Sequence, residues 1–99
     1  GNHLISFTCE IPVAGKYRVS LDVVKGPESG IVQMFMDEAA AGPEVDLYAE
    51  KSEVSPGEYV GTLELEEGSN DLMFKIIGVN DKSSGQGLDL TNIICERVD

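Results

Sequence analysis

Between Gly15 and Asp37 two apolar-rich runs flank a turn-rich linker: Gly-Lys-Tyr-Arg-Val-Ser-Leu-Asp-Val, then Val-Lys-Gly-Pro-Glu-Ser-Gly, then Ile-Val-Gln-Met-Phe-Met-Asp. In the first run Tyr17, Val19, Leu21 and Val23 alternate with Arg18, Ser20, Asp22 and Val24. This period of two belongs to a strand with one face buried and the other mostly wet. Within the linker Pro27 cannot donate to a ladder, while Gly26 and Gly30 can adopt the positive φ that a reversal often uses. The stretch therefore reads as a hairpin or a sheet-to-sheet crossover, with later strands completing a two-layer β domain.

The rest of the chain repeats the pattern. From Leu4 to Ile11, Ile5, Phe7, Cys9 and Ile11 alternate with Ser6, Thr8 and Glu10, and Pro12 ends the run. The alanines of Glu38 to Glu44 invite a helix, but Gly42 and Pro43 stop it within about one turn, so a loop is expected there. Val45 to Ala49 reads as a short strand with Val45 and Leu47 on one face, Asp46 and Tyr48 on the other. A polar loop is expected from Glu50 to Gly57, with Ser55-Pro56-Gly57 as its turn signal. Tyr59, Gly61, Leu63 and Leu65 then alternate, and after Glu67-Gly68-Ser69-Asn70 so do Leu72, Phe74 and Ile76, a pair that reads as a hairpin. Gly78 to Gly87 is a polar loop, and Leu88 to Val98 a last strand. Roughly seven strands at hairpin-like spacing predict an all-β, antiparallel β-sandwich or jelly roll in one domain.

Composition bounds the function classes. The 99 residues carry 7 basic and 18 acidic side chains, a formal net charge of -11. Such a charge repels phosphate backbones and anionic membranes, so neither nucleic acid nor lipid is an expected partner. No apolar run approaches the ~20 residues of a membrane-spanning helix, and no export signal precedes the first strand. Gly1 in place of an initiator Met is read as the start of a segment excised from a larger protein.

Cys9 and Cys95 are the two cysteines and lie near opposite ends of the chain. They read either as two small buried hydrophobes or as a disulfide joining the first and last strands, which requires neighbouring strands with both side chains on one face. Neither belongs to a Cys-x-x-Cys spacing for zinc or redox work.

Catalytic signals are sparse. The single histidine, His3, is expected at a frayed N-terminus, away from any Ser/His/Asp or Cys/His arrangement. The glycine-rich loops lack the Gly-Lys-Ser/Thr of a phosphate cradle. Asp37, Glu38, Asp46, Glu50, Glu64, Glu66 and Glu67 offer carboxylate pairs, but 18 acids in one small domain make chance pairs inevitable, and a solvated face is the expectation. Phe7, Tyr17, Tyr59 and Phe74 share parity with aliphatic neighbours and are assigned to the core. Tyr48 stands opposite an apolar face, with Asp46 and Glu50 on its own side, and the three form the candidate sugar or peptide contact; the competing reading is a strand tyrosine packed on a loop. Asn80, Asp81 and Asp89, with loop carbonyls, form the candidate calcium set; the competing reading is a hydrogen-bonded Asx-turn loop.

The order of Gly15-Lys16-Tyr17-Arg18-Val19, Gly30 to Asp37, Val45-Asp46-Leu47-Tyr48, Gly61-Thr62-Leu63-Glu64-Leu65 with Glu67-Gly68, and Gly87-Leu88-Asp89 resembles jelly-roll accessory modules of secreted bacterial polysaccharide-degrading proteins. The layout is similar to carbohydrate-binding module families 6 and 35, to the galactose-binding-like fold, and to the β-sandwich parts of a glycoside-hydrolase-related family that includes difructose-anhydride-forming enzymes. The resemblance implies a non-catalytic module that binds a glycan or props a catalytic domain, in a secreted, periplasmic or cell-surface protein. The chain departs from the sugar-binding families in having no Trp and no N-terminal acidic residue placed to hold their structural calcium, since Glu10 comes at the end of its strand rather than opening it.

Two functions follow as expectations. The first is a non-enzymatic accessory module that binds glycan weakly. The alternative is a structural or interaction domain docking a neighbouring domain or an identical copy, which would be marked by exposure of Val32, Met34 and Met36.

Overall fold

The computed structural model describes residues 4–98, so the expectation for His3 lies outside the described residues. Its elements are β1 (Leu4–Ile11), β2 (Gly15–Lys25), β3 (Ile31–Met36), β4 (Ala39–Ala40), β5 (Val45–Asp46), β6 (Glu53–Leu65), β7 (Gly68–Gly78) and β8 (Asp89–Arg97). Two antiparallel sheets form a sandwich. One has the order β1-β7-β3-β4, with β5 also on β3; the other has the order β6-β2-β8.

The core is the inward half of each alternating run. Val19, Leu21 and Val23 of β2 pack against Val32 and Met34 of β3 and Leu72 and Phe74 of β7, all essentially inaccessible to water. At ~25 cal/mol per Å² of apolar surface removed from water, such residues supply the main driving force for joining the sheets. Val32 and Met34 therefore face the core and offer no docking surface; Met36 is half-buried.

The linker after β2 is a crossover, since β2 and β3 lie in different sheets. Its glycines do not use positive φ. At Gly30 a Cβ would come within 2.6 Å of Ile76, so it is close packing that excludes a side chain. The connection from β6 to β7 is not a hairpin, because β6 pairs with β2 and β7 with β1 and β3. The chain turns this corner around the buried Asn70. Its side-chain amide donates to the carbonyls of Glu66 (2.7 Å) and Gly68 (3.2 Å), and its oxygen accepts from the Glu66 N–H.

Strand β6 departs furthest from expectation. It starts at Glu53, inside the stretch expected to be a loop, because β2 continues to Lys25 and offers partners to Val54 and Ser55. Two register shifts interrupt the pairing, one between Val19 and Ser20 and one between Leu21 and Val23. At the first, the partners jump from Gly61 to Tyr59, so Val60 is unpaired and turns into the core. The bulge reverses the parity that assigns Tyr59 to the core. Tyr59 is 39% exposed, with Arg18 stacked 5.2 Å from its ring centroid and its hydroxyl 2.8 Å from that of Thr62. Tyr17 and Phe74 are buried as expected and Phe7 packs against the core. The Tyr17 hydroxyl donates to the Val13 carbonyl at 2.6 Å, pinning the β1–β2 corner.

Two shorter segments also differ. Ala39–Ala40 pairs back on β3 through a two-residue turn in which Asp37 (φ 51) and Glu38 (φ 67) are both left-handed. The strand expected over Val45 to Ala49 is regular only at Val45–Asp46, because Leu47 and Ala49 spend their N–H groups on the crossover instead.

Candidate functional site

One end of the sandwich is organised by the Gly26–Gly30 crossover, onto which two other segments are strapped by main-chain hydrogen bonds. From one side, Gly26 N–H donates to the Leu47 carbonyl, Ala49 N–H to the Gly26 carbonyl and Leu47 N–H to the Gly30 carbonyl. From the other, Gly30 N–H donates to Gly87, Gly87 N–H to Glu28 and Ser84 N–H to Pro27, while the Ser83 hydroxyl donates to the Ser29 carbonyl. A crossover buried at Ser29 and Gly30 must satisfy its peptide groups, and these loops supply the partners.

This arrangement joins the two candidate residue sets. The Asp46 carboxylate accepts from the Tyr48 N–H at 2.9 Å and from the Asn80 amide at 2.7 Å. The Asn80 side-chain oxygen accepts from Lys82 N–H at 2.9 Å, closing an Asx turn. Tyr48 is half-buried and its backbone bridges to Gly26; Glu50 is exposed beyond it. Asp81 is exposed in the same loop, and Asp89 opens β8 opposite Val24. Among the described residues no three His, Cys, Asp or Glu side chains are grouped to hold a metal ion. Chemically the patch is one exposed carboxylate already engaged by the Tyr48 N–H and the Asn80 amide, with a half-buried tyrosine two residues along.

Around the corner lies an open cleft of about 370 Å³ lined by Lys25, Glu28, Ser52 and Asp89 among others. Lys25 forms an ion pair with Glu58, which also accepts from the Ser55 hydroxyl at 3.0 Å. The hydrogen bond from Lys25 holds the Glu58 carboxyl below its ordinary value, against a smaller opposing effect of burial. The lysine is thus committed within the sheet.

Sequence reasoning missed Asp22, which reads only as the polar half of an alternating strand. Its carboxylate accepts from the Gly57 N–H at 2.8 Å and from the Asn92 amide at 3.4 Å, so it ties β2 to both of its neighbours at the second β6 bulge. It missed the cysteine geometry as well. Cys9 and Cys95 lie on strands of different sheets, not on sheet neighbours, yet their Sγ atoms are 3.3 Å apart across the sandwich. Burial and the adjacent Cys9 sulfur push the Cys95 thiol up to about 12.

A chain of this fold is present within a larger solved protein. A xanthan lyase from Paenibacillus is similar over 96% of this chain, with a TM-score of 0.85 and 27% identity. The chain spans about 9% of the length of that lyase. No curated protein matches it. Residues 3–98 match a family model, and the chain thereby belongs to the family described as a domain of unknown function, DUF8441.

Proposed function

We propose that this chain is a non-catalytic accessory module of a secreted bacterial carbohydrate-active protein, related to the jelly-roll, galactose-binding-like modules, and that any glycan contact it makes is weak. The observation that carries the reading is the likeness of nearly the whole chain to a small part of a polysaccharide lyase. A unit that makes up about 9% of a larger chain is suited to support or substrate contact. The patch built here agrees with a weak binder. Tyr48 is half-buried, and Asp46 already accepts hydrogen bonds from Asn80 and from the Tyr48 N–H.

The test is a glycan panel that includes xanthan, with and without calcium, following binding and melting temperature. The expected outcome is a weak saturable hit lost in Tyr48→Ala. A blank panel with no calcium-dependent shift would overturn glycan contact. Activity of the isolated domain on polysaccharide would overturn the non-catalytic assignment.

A second reading, docking of a neighbouring domain, is favoured by the outer face of the larger sheet. Leu4 and Ile77 are 47% and 40% exposed on strands of this sheet, which also carries the Phe35 ring, with the Lys75 ammonium 4.8 Å from its centroid. This surface replaces Val32 and Met34 as the docking candidate.

A further inference from the structure

The geometry points to a disulfide between Cys9 and Cys95 that forms in an oxidising compartment and clasps the open edges of the two sheets. Strand β1 is an edge of one sheet and β8 an edge of the other, and no backbone hydrogen-bond ladder joins them. Among the described residues, this side of the sandwich is closed by side chains. Phe7, Cys9 and Ile11 from β1 meet Ile93 and Cys95 from β8, where they line an open cleft of about 490 Å³. The opposite side is closed differently, by close backbone approach between Gly42 and the Val60–Gly61 bulge.

Three observations converge on the pair. The Sγ atoms, 3.3 Å apart, are already in contact and about 1.3 Å beyond the ~2.05 Å length of a disulfide bond. The two cysteines are the whole complement of the chain, so intramolecular pairing has a single solution. Cys9 is 8% exposed while Cys95 is half-buried at the cleft, so one sulfur is reachable and the other is positioned to displace whatever the first has bound.

The redox step balances with a disulfide oxidant such as oxidised glutathione. The Cys95 thiolate attacks one glutathione sulfur, releasing glutathione thiolate and leaving a mixed disulfide. Cys9, having lost its proton to solvent, then attacks the Cys95 sulfur and expels the second glutathione thiolate. Two protons and two electrons leave the protein, and the oxidant becomes two thiols. Because burial disfavours the Cys95 thiolate in the folded protein, exchange is expected to be faster during folding than after it. The inference stands apart from the carbohydrate reading and needs only an oxidising environment.

The test starts from fully reduced, unfolded protein, refolded in a mixture of reduced and oxidised glutathione and then labelled with a maleimide in denaturant. The expected result is a monomer that takes up no label, has lost the mass of two hydrogen atoms and yields one linked peptide containing Cys9 and Cys95. Its melting temperature should exceed that of the reduced protein by about 10 °C or more. The double variant Cys9→Ala/Cys95→Val should melt at a temperature indifferent to reductant. Two free thiols in a protein that has refolded to a cooperative native state would overturn the clasp. So would a linked form that melts no higher than the reduced one.

Discussion

The Asp22 carboxylate accepts a hydrogen bond from the Gly57 N–H at 2.8 Å, joining two residues 35 apart in sequence on neighbouring strands. Gly57 has φ 67 and sits in a bulge, so its N–H cannot join the regular ladder and takes a side chain instead. Replacing Asp22 by Ala leaves that group and the Asn92 amide without their partner. A loss of about 1–2 kcal/mol is expected by urea unfolding, with Asp22→Asn intermediate because it keeps an acceptor but loses the charge.

Gly42 and Gly61 test the sheet-to-sheet contact at the opposite side from the cysteines. A Cβ on Gly42 would stand 1.8 Å from the Val60 carbonyl oxygen, and one on Gly61 2.5 Å from that of Ala41. Both obstacles are backbone and cannot yield without parting the sheets. Gly42→Ala should cost about 3 kcal/mol or more in denaturant unfolding, or prevent folding. Gly78→Ala is the control, since its Cβ would meet only Ile31 at 3.9 Å, and it should change stability by less than about 1 kcal/mol.

Asn70 should be among the most sensitive polar positions. It is 5% exposed and makes three hydrogen bonds at the β6–β7 corner. Asn70→Ala removes them together and should destabilise by about 2–3 kcal/mol, read from a lowered urea midpoint at unchanged slope.

The Lys25 and Glu58 ion pair makes a pH-dependent contribution whose sign follows from the lowered Glu58 pKa. The folded state holds the carboxylate more strongly than the unfolded chain, so the contribution is full above the ordinary glutamate pKa of 4.5. It is lost as pH falls through the lower folded-state value. The stability difference between wild type and Glu58→Gln should therefore be largest near neutral pH and shrink on acidification. Added salt should reduce it too, because both side chains retain solvent contact.

Glu38 occupies a left-handed position in the turn after β3, with φ 67. Two-residue hairpin turns of this kind favour Gly at that second position. Glu38→Gly should stabilise by up to about 1 kcal/mol, measured as a raised melting temperature with the sheet unchanged by circular dichroism.

Local alternation decided a good deal about this protein on its own. The bounds of β1 and the inward set of β2 follow from a period of two that any strand must obey. The acidic surface, the all-β class and the absence of familiar catalytic spacings are likewise properties of the residues themselves. Tertiary structure decided which sheet each strand joins, because pairing partners are chosen by burial and not by proximity in sequence. The β6 and β7 runs therefore look like a hairpin and are not one. It decided the fate of Tyr59, since a bulge is created by the partner strand and reverses parity without leaving a mark in the alternation. It also decided the meeting of Asp46 with Asn80 and of Cys9 with Cys95, pairs separated by 34 and 86 residues. Side chains so distant are brought together only when the whole core closes, and no local pattern encodes that closure.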